Sequence, residues 1–232
     1  NTVVVGAPND GNGGAVYVYY RGYGDKWELW EKISNPVGGG PGDGFGQSVD
    51  IDSDTIIVGA PSYDGSPDSS RNEGRAYVFT KDAGCTYAEE NCDWNATTPK
   101  ELQNTIDFSG DIRYGDLFGF SVGIDQGVAV VGSRSDKTLT FNGGEGSATL
   151  FDVVSSTSFI RKFAGPAVLS YFGSAVAISG DKIIVGAPRS DANRGRVFIY
   201  RRDGTQEANI LGEQITVVPT GFPPELASVS FG

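Results

Sequence analysis

The chain repeats one phrase at fixed spacing. Phe45-Gly46 is followed 14 positions after the Phe by Gly59-Ala60-Pro61, and Phe118-Gly119 at the same distance by Gly132-Ser133-Arg134. Phe172-Gly173 leads in the same way to Gly186-Ala187-Pro188. A partial copy, Val3-Val4-Val5-Gly6-Ala7-Pro8, opens the chain, and Phe231-Gly232 begins another. A phrase that returns with constant internal spacing describes stacked modules sharing a core. The repeats run approximately over 1–44, 45–117, 118–171 and 172–230, with a further one starting at 231.

Inside each repeat the apolar pattern is that of strands. Ser48-Val49-Asp50-Ile51 alternates and predicts a half-buried strand; Thr55-Ile56-Ile57-Val58 is continuous and predicts one buried on both faces. Asp52-Ser53-Asp54, Asp125-Gln126-Gly127 and Ser179-Gly180-Asp181 supply the tight turns between them. A third strand follows a loop of varying length: Gly14–Tyr19, Gly74–Phe79, Gly146–Phe151 and Gly195–Tyr200. A weaker fourth is read at Trp27–Ile33, Glu101–Phe108, Phe159–Phe163 and Asn209–Val218. Four antiparallel strands per unit predict an all-β fold of β-propeller blades, about four of them, in one continuous segment. Gly46, Gly119 and Gly173 are read as relief where backbones crowd. Gly59 and Pro61 are read as a sharp strand exit, and Phe45, Phe118 and Phe172 as wedges between blades.

Composition narrows the function classes. The net charge is −11, which argues against nucleic acid and anionic membrane as partners, since both need clustered Lys and Arg. No run of 18 apolar residues is present, so this segment carries no membrane-inserting helix. Histidine is absent, which removes Ser-His-Asp and Cys-His nucleophiles and His-bound metals. No phosphate loop or dinucleotide fingerprint occurs, and the reading is of a chain that is not an enzyme. Asn1 falls in mid-strand and Met is absent, so the chain reads as a piece of something longer.

The repeated Phe-Gly…Val-Gly-Ala-Pro resembles the FG-GAP repeat family, known from the seven-bladed propeller at the N-terminus of integrin α subunits. The resemblance covers nearly the whole chain and implies a fragment of a seven-bladed ring. The third copy departs at Gly132-Ser133-Arg134, and its strand exit is expected to differ. Many members carry an Asp-x-Asp-x-Asp-Gly-x-x-Asp calcium loop between the first two strands. Here those turns hold two or three residues, too few to wrap a cation, so the chain resembles the branch without that loop. No cofactor is expected.

The loops after Gly-Ala-Pro are the candidate ligand face. Asn9, Asp10 and Asn12, then Asp64 and Asp68, then Asp191 and Asn193, cluster oxygen-bearing side chains. Ordinary turn capping is the favoured reading of these side chains and no metal is expected; Asp10, Asp64, Asp68 and Asp191 are the weaker alternative, as ligands of a calcium ion. Asp43 and Asp116, two residues before Phe-Gly, are expected to accept backbone N–H groups with their carboxylates. Cys85 and Cys92 read as a local disulfide and Asn95-Ala96-Thr97 as an N-glycosylation acceptor, which together point to an extracellular or cell-surface location. The function expected is non-catalytic recognition or adhesion, with a protein or glycan ligand at the loop face. Two alternatives stand beside it: an accessory propeller of a larger secreted enzyme, and a carbohydrate-binding propeller using Trp27, Trp30, Tyr63 or Tyr87. Trp30 is placed on the strand face opposite Trp27, Leu29 and Ile33.

Overall fold

A computed structural model describes residues 1–11, 13–22, 24–36, 40, 42–64, 72–81, 93–94, 99–103, 115–137, 144–154 and 157–211. The described fold is all-β, in four antiparallel sheets that follow chain order. The first holds β1 (Thr2–Ala7), β2 (Ala15–Arg21) and β3 (Trp27–Ser34). The second holds β4 (Ser48–Asp52), β5 (Thr55–Ala60), β6 (Arg75–Thr80) and β7 (Lys100–Leu102). The third holds β8 (Phe118–Asp125), β9 (Val128–Ser133), β10 (Ser147–Asp152) and β11 (Ser158–Ala164). The fourth holds β12 (Ala175–Ser179), β13 (Lys182–Ala187), β14 (Arg196–Arg201) and β15 (Gln206–Leu211). The first strand of one sheet packs on that of the next, β4 on β8 and β8 on β12, in a blade-like row that does not close on itself. The first sheet enters at the strand equivalent to β5, β9 and β13.

The inner hairpins form because their turn residues accept positive φ: Ser53 at 52°, Gln126 at 48° and Gly180 at 57°. Ile56, Ile57 and Val58 are fully buried, as a strand covered on both faces requires. One strand start differs from expectation, and one strand end is not described. β15 starts at Gln206, not Asn209, because a turn at Gly204 (φ 94°) returns the chain at once, closed by Arg201 N–H to Thr205 O at 2.8 Å. The fourth strand of the second repeat is described only over Lys100–Leu102, and the stretch read on to Phe108 lies outside the described residues.

Phe45, Phe118 and Phe172 are fully buried wedges. Phe45 sits among Val4, Val16, Val18 and Ile33 of the first sheet and meets Tyr77 and Phe79 of the second edge-on at 5.6 and 6.0 Å. Phe118 joins Ile57, Ala76, Val78 and Leu102, and Phe172 joins Val130, Ala148 and Leu150. Burying each ring contributes about 2–3 kcal/mol.

The glycine beside each Phe explains a second glycine far away. A Cβ on Gly6 would stand 2.0 Å from Gly46 O, one on Gly59 1.9 Å from Gly119 O, and one on Gly132 2.2 Å from Gly173 O. Gly59 therefore does not serve a sharp exit: it lies within β5, and the absence of a side chain lets the next blade's backbone touch it. The expected change of exit in the third copy is not seen either. Asp136 N–H closes on Ser133 O at 3.2 Å, as Asp10 N–H does on Ala7 O at 3.1 Å and Tyr63 N–H on Ala60 O at 3.2 Å.

A β-bulge corrects the face assignment in β3. Between Val18 and Tyr19 the partner register shifts, so Trp30 packs on the same cluster as Ile33 while Trp27 and Leu29 are exposed. The same bulge recurs in the outer pairs β10–β11 and β14–β15.

Gly59→Ala removes no contact and adds one methyl group at the seam. Its expected cost is about 1–3 kcal/mol in urea unfolding, from overpacking against a main chain that has no rotamer to change. Unchanged stability would show that the sheets slide apart freely.

Candidate functional site: the loop face between the third and fourth blades

The four loops after the second strand of each sheet share anchors. Each returns with a glycine N–H bonded to a loop carbonyl: Gly14 to Asp10 (3.1 Å), Gly74 to Tyr63 (3.0 Å), Gly146 to Asp136 (3.0 Å) and Gly195 to Ser190 (3.0 Å). A second anchor joins three loops to the turn before Phe-Gly: Ser62 N–H to Asp43 O (3.0 Å), Ser135 N–H to Asp116 O (3.3 Å) and Arg189 N–H to Ser170 O (3.2 Å). The group shared by all three turns is the main-chain carbonyl, which any residue supplies. That is why Ser170 serves equally well.

The loop acids expected as cation candidates are held by neighbouring groups. Asp10 pairs with Lys32 at 2.8 Å and accepts the Tyr17 hydroxyl; the Lys32 bond, then that of Tyr17, holds its carboxyl below the usual range. Asp191 pairs with Arg194 at 2.7 Å and lies 3.7 Å from Arg196. Asp64 accepts Asn72 N–H at 2.5 Å. Asn9 and Asn193 are exposed, Asn193 with φ 69°. Asn12, Asp68, Cys85, Cys92 and Asn95 lie outside the described residues. Among the described residues no three acidic, Cys or His side chains converge on one point. The third loop adds an acid that the sequence reading passed over. Asp136 is buried, bonded by Ser147 Oγ at 2.5 Å and Lys162 Nζ at 2.7 Å.

The aromatic candidates separate by burial. Tyr63 is 9 % exposed and covered by the Arg75 guanidinium at 4.2 Å. Trp30 is wedged between Tyr20 and Trp94, both at 6.1 Å. Trp27 is exposed, and Tyr87 lies outside the described residues.

One cluster on this face is built differently. Arg134, in the place held elsewhere by Pro, lays its guanidinium 4.2 Å from the Phe120 ring centre and 5.8 Å from that of Tyr171. Arg189 covers Tyr171 at 4.4 Å and donates to its hydroxyl at 3.1 Å. Tyr171 is forced toward them by its φ of 54°, the left-handed position that Gly44 and Leu117 occupy before the other Phe-Gly pairs. Among the described residues neither Arg134 nor Arg189 pairs with a carboxylate, whereas Arg75 is neutralised by Glu101 at 2.6 Å. The result is an aromatic–guanidinium ladder whose two positive charges have no carboxylate partner among the described residues. The one sequence signal for it was the break in the motif at Arg134.

A comparison with protein families matches residues 27–79 and 167–200 to the FG-GAP repeat. Both of these stretches carry the FG-GAP repeat. The first stretch runs from β3 of the first sheet through β4, β5 and β6 of the second, and the other covers β12, β13 and β14 of the fourth. No curated protein sequence matches the chain. Among solved structures it is similar to the computationally designed protein Ika8, at 12 % identity and a TM-score of 0.51. That likeness covers 90 % of this chain and 46 % of Ika8, and it concerns the fold alone.

Asp43, 8 % exposed, sits at the FG-GAP turn with Asn35 Nδ2 donating to it at 3.1 Å. Burial pushes its carboxyl above 3.8, with a smaller upward push from Asp64 and an opposing one from Asn35. A raised folded value means a stability penalty that is present above it and gone below the unfolded value. Asp43→Asn is therefore expected to raise the melting temperature at pH 7. The gain should shrink as pH falls through the folded value and vanish below 3.8. Melts from pH 7 to pH 3.5 that track wild type throughout would contradict it.

Proposed function

We propose that this FG-GAP segment is a non-catalytic extracellular recognition module of the integrin-α-like propeller type, and that its loop face binds a carboxylate-bearing protein or glycan. The observation that carries the reading is the pair of guanidiniums, Arg134 and Arg189, held on Phe120 and Tyr171 with no carboxylate paired to either among the described residues, in a chain of net charge −11. Stacking fixes the planar cation, and a carboxylate matches the guanidinium fork with two parallel bonds. Side chains already ordered lose less entropy on binding. Two further facts fit the reading. FG-GAP repeats occur in extracellular domains, and among the described residues no helix is long and apolar enough to cross a membrane. Cys85, Cys92 and Asn95 suit an oxidising compartment.

An array of acidic peptides and of sialylated, uronate and neutral glycans tests the ligand class. Hits are expected among carboxylate-bearing probes, weakened on the order of tenfold or more in Arg134→Gln/Arg189→Gln, with an unchanged melting curve. Hits confined to neutral glycans, or equal binding by the double variant, would overturn the reading. For the compartment, peptide mapping of the secreted protein is expected to show Cys85 joined to Cys92 and a glycan on Asn95. Free thiols and a bare Asn95 would contradict it.

A further inference from the structure

The turn that leads into Phe172-Gly173 departs from its two counterparts in one residue. In each turn a left-handed residue stands just before the one whose carbonyl anchors a loop: Gly42 before Asp43 at φ 106°, Gly115 before Asp116 at 76°, Leu169 before Ser170 at 58°. Glycine adopts that conformation freely, whereas a side chain there is strained. The turn itself is kept. Asp43 N–H closes on Gly40 O at 3.4 Å, and Ser170 N–H closes on Ala167 O at 3.2 Å.

The strained residue does not repay its cost by burial. Pro166, Ala167, Val168 and Leu169 are exposed in succession, Val168 at 52 % and Leu169 at 51 %. Apolar side chains at a turn tip contribute little to the core, and glycine at 169 would remove the strain. Strain with no return inside the fold marks a surface kept for contact.

The tip is fixed beside the guanidinium ladder. Ser170 is 1 % exposed and has every polar group engaged: its N–H on Ala167 O, its Oγ on Glu145 O at 2.7 Å, and its carbonyl accepting Arg189 N–H at 3.2 Å. Leu169 and Tyr171 flank this pivot. A Cβ on Gly144 would stand 3.7 Å from Leu169 Cδ2 and 3.8 Å from Ser135 O, which sets the leucine against the loop that carries Arg134. Tyr171 meets Arg134 and Arg189 through its ring. One fully bonded residue thus joins an aliphatic tip to a pair of cations.

Building on the carboxylate reading of Arg134 and Arg189, we infer that the partner of this face is a protein segment in which an acidic residue has an apolar neighbour. The two guanidiniums select the acid by charge, and the Val168–Leu169 tip selects an apolar side chain beside it. A uronate or sialyl glycan offers the same carboxylate but surrounds it with hydroxyl groups. Against Val168 and Leu169 those hydroxyls would give up water and find nothing to bond.

Binding of the full 232-residue chain to synthetic peptides that pair Asp or Glu with Leu or Phe tests this. The controls are the same peptides with Ser at the apolar position, and uronate and sialyl oligosaccharides. The acidic–apolar peptides are expected to bind about tenfold or more tighter than either control set. Val168→Ser/Leu169→Gly should erase that preference while its melting temperature stays unchanged or rises, because glycine relieves the left-handed position. A purely structural role would move stability and binding together. Equal binding of the Ser-substituted peptides, tighter binding of the glycans, or an unaffected tip variant would overturn the protein partner. In each of those cases weaker binding by Arg134→Gln/Arg189→Gln would leave the carboxylate reading standing. Peptide binding that needs Val168 and Leu169 but is untouched in the arginine double variant would overturn both.

Discussion

Everything in this fold depends on main chain touching main chain at one point per blade boundary. Facing sheets ordinarily stand about 10 Å apart, kept there by the side chains between them. At Gly6, Gly59 and Gly132 there is no side chain, and the carbonyl of the next blade's Phe-Gly glycine occupies the space a Cβ would need. That contact fixes how the two sheets meet. The neighbouring Phe then has one direction available, into the apolar face beside the contact. The Phe supplies the burial energy and the glycine pair supplies the geometry, and neither acts without the other.

The inner strands face a separate difficulty. β4, β8 and β12 each have a partner strand on one side alone, so the far edge presents N–H groups with no ladder to join. Carboxylates from the preceding blade meet that demand. Asp50 accepts Ile124 N–H at 2.9 Å, Asp52 accepts Gln126 N–H at 2.7 Å, and Asp125 accepts Gly180 N–H at 2.7 Å. Arg202 closes on Asp125 at 3.1 Å. Alternating acids in these turns resemble the start of a cation loop, yet in an extended hairpin they lie along one face, where the next strand's amides are waiting. The acidity of the inner hairpins is thus partly structural.

What was legible in the sequence was what is local. Strand order, hairpin turns and the Phe wedges follow from alternation, turn residues and fixed spacing, all inside a single repeat. The face of Trp30 was not legible, because the bulge that turns it is a mismatch of register between β2 and β3 and leaves no mark in β3 alone. Gly59 was recognised as special but given the wrong reason, since the atom that demands a glycine belongs to Gly119, a full repeat away. The loop acids were read as turn caps or cation ligands and not as ion-pair partners: Lys32, which holds Asp10, sits on a strand that only the fold brings beside it, while Arg194, which holds Asp191, lies three residues on and was passed over. Arg134 and Arg189 belong to different blades, and the stacking that unites them passes through Tyr171.

The same anchors explain how one face can change while the seams do not. Each loop leaves its strand through the turn after the second strand and returns through the glycine N–H that precedes the third, so its length varies without moving either sheet. At the exit the turn is closed by backbone atoms alone, as Ser133 O and Asp136 N–H show in the copy that lacks Pro. Ser133 also donates its hydroxyl to Asp116 O at 2.9 Å, an extra tie that Ala60 and Ala187 cannot make. Replacing Pro by Arg at position 134 therefore leaves the exit turn in place and adds a cation to the loop face. Side-chain chemistry of that kind can accumulate on such a blade because the residues that carry it are not the residues that hold the blades together.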